Sequence, residues 1–236
     1  KGVPAEVQQV GAAHFRMPLK IRREDGDPIT VEASVAGTVQ LPRGVRGINM
    51  SRIMRAFYAS EDEVFTLEHL ETVLERCRSA VNSPAARLWL RFDYPIRLQS
   101  LRSGLSGYQY YRVVWDARLE ADDTFRKQIE FDFTYSSACP GSADLADHAE
   151  ETREIYAIPH SQRSCARVRV EVTPGKTLSI KRLRDLCLKA LQTEVQVMVR
   201  REDEQAFAEM NGAYTKFVED AARLLFEQLD PDPAIA

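Results

Sequence analysis

The 236-residue sequence contains no apolar run approaching the ~18 residues that a membrane-crossing helix needs, and its first residues lack the apolar centre of a secretory signal. On that basis the sequence reads as cytoplasmic. Cysteine is scarce, with four residues at Cys77, Cys139, Cys165 and Cys187 and no Cys-x-x-Cys pair, which in a chain without an export signal predicts free thiols. An excess of one charge is also missing. The 32 basic and 35 acidic residues leave −3, too little field to gather nucleic acid or an anionic membrane, and no stretch interleaves aromatic with basic residues. Neither partner is expected, and an anionic ligand needs a local site. The familiar phosphate loops and dinucleotide fingerprints are absent too.

What is present is an ordinary globular composition, 44% hydrophobic and 28% charged, in a chain long enough to bury a real core. Two-residue alternation runs through Phe15, Met17, Leu19 and Ile21, then from Val31 to Leu41, Leu88 to Ile96, Tyr111 to Leu119, Ile129 to Tyr135 and Ala166 to Val172. Val195, Val197 and Val199 make a shorter seventh run. One wet and one dry face per run predict antiparallel strands. Helical spacing appears instead from Phe65 to Val81, behind a candidate capping box of Ser60 and Glu63, and again at Ile180–Leu191 and Phe217–Leu229. Between the Ile129 run and the Ala166 run lies a long polar segment. The order predicts an α+β fold in two similar halves, 1–105 and 106–236, with helices on one face of antiparallel sheet and the seam at the Ser/Gly-rich stretch Ser100–Gly107. The tail after Leu229 is expected to fray.

Four segments stand out for chemistry. Tyr135-Ser-Ser-Ala-Cys139-Pro-Gly-Ser142 ends a strand with a thiol in a Pro-Gly turn, which suits a metal ligand and equally suits a small apolar residue filling a strand end. Pro159-His160-Ser161-Gln162-Arg163-Ser164 follows, where an imidazole nitrogen is a zinc donor and the Arg163 fork matches phosphate. A lone Cys-His pair is half of an ordinary zinc set, so spacing alone leaves metal binding open. Arg200 to Gln205 reads by default as a solvated charge run at a helix start. Arg43 to Arg52, carrying Ser51 and Arg52, joins a strand to a helix and makes a fair anion site. Cys77 and Cys187 sit on apolar helical stripes, and His14, His69 and His148 lack clustered company.

Taken in order, Gly47-Ile-Asn-Met-Ser-Arg-Ile53, Cys139-Pro-Gly-Ser142, Pro159-His-Ser-Gln-Arg-Ser164, Arg201-Glu-Asp-Glu-Gln205 and Lys216-Phe-Val-Glu-Asp220 resemble the motif series of the type IB GTP cyclohydrolases over nearly the whole chain. The resemblance implies a tunnelling fold of two tandem modules, a homotetramer with active sites between subunits, and metal-dependent opening of the GTP imidazole ring to 7,8-dihydroneopterin triphosphate and formate. It implies Zn²⁺ or Mn²⁺ on Cys139 and His160, Glu204 gripping the guanine edge, and Arg163, Ser51 and Arg52 near the triphosphate. Three positions depart from the family pattern. Gly141 replaces a second cysteine, Asn49 replaces a histidine, and Lys189 falls where a glutamate ligand is expected, with Glu194 the nearby carboxylate that could replace it. These departures keep two alternatives open: a homologue acting on a different purine, and an inactive purine- or pterin-binding protein.

Overall fold

The computed structural model describes residues 5–24 and 26–236. Its strands are β1 (Val7–Ile21), β2 (Ile29–Leu41), β3 (Val64–Phe65), β4 (Ala86–Gln99), β5 (Ser106–Leu119), β6 (Phe125–Ala138) and β7 (Ser161–Glu171). The helices are α1 (Met50–Tyr58), α2 (Leu70–Ala80), α3 (Pro140–Arg153), α4 (Ile180–Leu191), α5 (Arg201–Ala213) and α6 (Val218–Leu229). The strands form one sheet in the order β3-β1-β2-β4-β5-β6-β7, antiparallel except where the two-residue β3 runs parallel to β1. The expected α+β class is what the chain adopts.

Alternation becomes a core because the pairing register keeps one face aligned across the sheet. Phe15, Val35, Leu90, Trp115, Ile129 and Val170 stand opposite one another in a single row from β1 to β7. All belong to or pack on one cluster that also takes in Ile53 of α1, Leu74 of α2 and Leu183 of α4. Gly37 on β2 leaves room for this layer, since a Cβ there would stand 3.3 Å from the Leu88 side chain, closer than ordinary contact. The opposite face is charged. Asp116 there takes Arg87, Arg118 and Arg169, and Asp132 takes Arg112 and Arg167. Within the stretch Ser100–Gly107, residues 100–105 are the turn of a hairpin in which β4 and β5 pair from Gln99↔Ser106 to Ala86↔Leu119, so the sheet is continuous there.

Four sequence expectations need correction. Ser60 and Glu63 do not cap α2, whose N-cap is His69; both instead accept from Arg76, at 2.6 and 3.0 Å. The Val195–Val199 run is a loop with one bridge, Glu194 to Tyr135, and exposes Val197, Met198 and Val199. The polar segment after β6 is the helix α3, which buries only Ala146 and Ala149 and so carries almost no apolar stripe. The tail is tied down: Asp232 is buried against Arg182 at 2.7 Å, and Thr173 and Ala236 donate backbone bonds that clasp it to the end of β7.

Candidate functional site

Register places the candidate residues at two ends of the sheet. β6 ends at Ala138, and Cys139 is the N-cap of α3, with Pro140 at the first helical position, where a missing N–H costs nothing. The Cys139 N–H donates to the His160 carbonyl at 3.2 Å, and the His160 N–H donates to Ser142 Oγ at 3.1 Å. These two bonds bring the thiol-bearing and imidazole-bearing backbones together across the long α3 excursion. Arg163 lies beside them on β7, paired with Ser136. Cys139 is partly buried, while His160 and Arg163 are exposed.

Glu204 reaches the same end by another route. The β4–β5 hairpin turns there, and the first turn of α5 is fastened to it by Asp203, which is fully buried. Glu204, the next residue, is exposed. Ser51 and Arg52 are elsewhere. They start α1 at the other end of the sheet, on the order of 35 Å from Cys139 along the strands at ~3.3 Å per residue. Asn49 is the N-cap of that helix, its side chain accepting from the Ser51 N–H at 3.1 Å and the Ser51 hydroxyl at 2.7 Å. A short polar capping residue is what a helix start asks for, so Asn49 has structural work at this position.

A thiol and an imidazole are donors that a zinc ion takes, and the Cys139–His160 pair fits half of a four-coordinate set. Among the described residues no group of three His, Cys, Asp or Glu side chains forms a metal cluster. Lys189 is exposed on the last turn of α4. Glu194 does not stand free to replace a missing ligand. It is 4% exposed and accepts from both Tyr111 Oη and the Arg184 guanidinium. The cause is local: β5 leaves β6 beyond Val113↔Phe131, and residues 193–195 fill the opening through Ser136 N–H to Thr193 O and Val195 N–H to Thr134 O. Burial and the Glu194 charge raise the Tyr111 pKa. Arg184 is pushed down by burial, but the Glu194 bonds and charge outweigh this and raise its pKa. Beside this cluster lies a groove of about 1030 Å³, lined by Arg97, Tyr108, Arg184, Gln192 and Gln196 among others.

Lys216 is a residue whose placement the sequence motif does not reveal. Its N–H donates to the Ala138 carbonyl, next to Cys139, and its side chain is buried with Nζ donating to the Tyr214 carbonyl at 2.5 Å, 5.9 Å from the Tyr135 ring centre. No carboxylate among the described residues pairs with it, and burial lowers its pKa. The unfolded chain therefore holds this proton more tightly. The resulting penalty is present in full below the folded pKa and fades as pH rises toward the unfolded value. Lys216→Met is expected to raise the melting temperature at pH 7 by roughly 2–4 °C, about what 1 kcal/mol does in a chain of this size. Thermal unfolding at pH 7 and pH 10 checks this, and the gain should shrink at the higher pH.

Solved structures similar to this one include a hyper-thermostable AgUricase mutant, at TM-score 0.59 and 12% identity over 100% of this chain and 79% of that one. Uricase from Arthrobacter globiformis gives TM-score 0.55 and 13% identity over 100% and 80%. This likeness shows the tunnelling fold. Among curated proteins, GTP cyclohydrolase FolE2 of Dinoroseobacter shibae is 47% identical over 100% of this chain and 64% of its own length. GTP cyclohydrolase FolE2 of Paracoccus denitrificans is 47% identical over 99% and 72%. The chain thus spans less than two thirds of the length of the Dinoroseobacter relative. The family model described as type I GTP cyclohydrolase folE2 matches residues 1–236, and with it the sequence motifs and the sheet carrying them converge: the chain belongs to that family.

Proposed function

We propose that the chain is a metal-dependent GTP cyclohydrolase that converts GTP to 7,8-dihydroneopterin triphosphate and formate. The observation that carries this is the meeting of Cys139 and His160 at the sheet end that also presents Glu204. The Cys139 thiolate and the His160 imidazole would hold Zn²⁺ or Mn²⁺, which would supply Lewis acidity to activate water toward the purine ring. The Glu204 carboxylate accepts from the ring N–H and 2-amino group of guanine, and Arg163 offers a planar fork to phosphate. Ser51 and Arg52 join the site from a second copy, because a single chain holds them at the far end of the sheet. A homo-oligomer, a tetramer by resemblance, supplies that copy, and the free thiols fit a reducing cytoplasm.

Incubating the purified chain with GTP and Zn²⁺ or Mn²⁺, then oxidising and measuring neopterin fluorescence, tests the reading. Fluorescence above a His160→Ala control is expected. None, from folded protein, overturns it and favours the second reading, a homologue that takes another purine or binds a purine or pterin without turnover. Gly141, Asn49 and Lys189 motivate that alternative. Calorimetric binding of GTP without product would identify the inactive form.

A further inference from the structure

Asp203 is 0% exposed, yet it is not a silent member of the charge run in which it sits. One carboxylate oxygen accepts from the Arg102 N–H at 2.7 Å and the Ser103 N–H at 2.9 Å. The other accepts from Ser103 Oγ at 2.5 Å and the Arg200 N–H at 2.7 Å. Each oxygen thus uses two acceptor sites, and all four donors come from the hairpin turn or the start of α5. Burial alone would raise the Asp203 pKa; the donated bonds outweigh it and hold the carboxyl far below its ordinary range. A second tie, Arg102 to Glu209 at 2.5 Å, fastens the same turn to α5 about 1.7 helical turns beyond Asp203. Tight contact at Gly107, where a Cβ would stand 3.0 Å from Val197, leaves the approach to α5 little freedom.

An α-helix rotates about 100° per residue, so a side chain locked into the hairpin turns its successor away from it. That successor is Glu204. We propose that Asp203 is a positioning residue: by clamping the first turn of α5 to the β4–β5 hairpin it fixes the direction of the Glu204 carboxylate, and so sets the preference for purines bearing a 2-amino group. This rests on the reading of Glu204 as the group that meets the guanine edge. A carboxylate discriminates between a base that offers two N–H groups and one that offers a single N–H only if its own orientation is held. The clamp does the holding without touching substrate.

The test compares GTP with ITP, which lacks the 2-amino group, by the ratio of their kcat/KM values in the metal-loaded full chain. Glu204→Gln should collapse the preference for GTP. Asp203→Asn places an amide nitrogen against donors, and should lower the GTP:ITP ratio about tenfold, through KM for GTP more than through kcat. Ser103→Ala, which removes one of the four donors and leaves the carboxylate in place, should lower it about threefold, and Ser103→Thr, which keeps a hydroxyl, should restore it. A general loss of folded protein lowers both rates and leaves the ratio unmoved. Wild-type preference retained in full by Asp203→Asn and Ser103→Ala overturns the positioning role while leaving the proposed function intact. A wild-type chain that turns over neither nucleotide, or prefers neither, overturns the reading of Glu204 and the positioning role with it.

Discussion

Glu194→Ala is expected to destabilise the protein by about 3–5 kcal/mol, the range for removing one partner of a buried ion pair. The loss comes less from the missing attraction than from what is left behind. The Arg184 side chain is 14% exposed and is held by Glu194, while its contact to Asp185 faces a half-exposed carboxylate. With Glu194 gone, the largely buried guanidinium keeps only its bond to Asp185 and the buried Tyr111 hydroxyl loses its acceptor. Thermal unfolding should move down by about 10 °C. Glu194→Gln should fall between wild type and Ala, because the amide keeps one acceptor for Arg184 or Tyr111. Removing the whole set, with Arg184→Met, Glu194→Leu and Tyr111→Phe combined, should recover much of the loss, since an apolar filling leaves no group unpaired. A Glu194→Ala protein as stable as wild type would show that the wedge takes up water and that the cluster does not hold the strands.

Cys139→Ala should lower guanine-nucleotide turnover by more than 10²-fold, since loss of outer partners of metal ligands alone costs about 10–100-fold in affinity or activity. The side chain is partly buried at the N-cap and makes no capping bond, so the backbone that it leaves should persist. The expected signature is therefore loss of bound Zn²⁺ with an unchanged melting curve of the metal-free chain, read by metal analysis and calorimetry. Cys139→Ser should retain part of the metal and little of the rate. Metal content and turnover unchanged in Cys139→Ala would remove this residue from the site.

How legible this was in the sequence depended on whether a residue's role was periodic. The six long strands show themselves because every second residue enters one shared core, and α4 and α6 because their apolar stripes are dense. The helix α3 escapes because it buries only two alanines, and a polar helix looks like a loop in one dimension. Val195–Val199 misleads in the opposite sense. It alternates like a strand, but its place beside β6 is a wedge that ends after one bridge. Cys139 and His160 are legible as motif residues, and their meeting is fixed by the β6–β7 register from Ala138↔Ser161 onward. Asp203 and Glu194 are not, because acidic residues in charged runs are usually solvated, and only the fold shows which donors come to them. For Ser51 and Arg52 a linear motif order is silent, because nothing in it tells which end of a sheet each motif occupies.

The separation of those two ends has an evolutionary side. Positions that never touch within one chain can still be selected as a pair, because each meets the other's counterpart across a boundary between copies. Lineages that alter one end then bear compensating changes at the other, and such covariation, read as proximity inside a single chain, would fold the sheet back on itself. In the homo-oligomer proposed above it would instead trace the outline of the assembly.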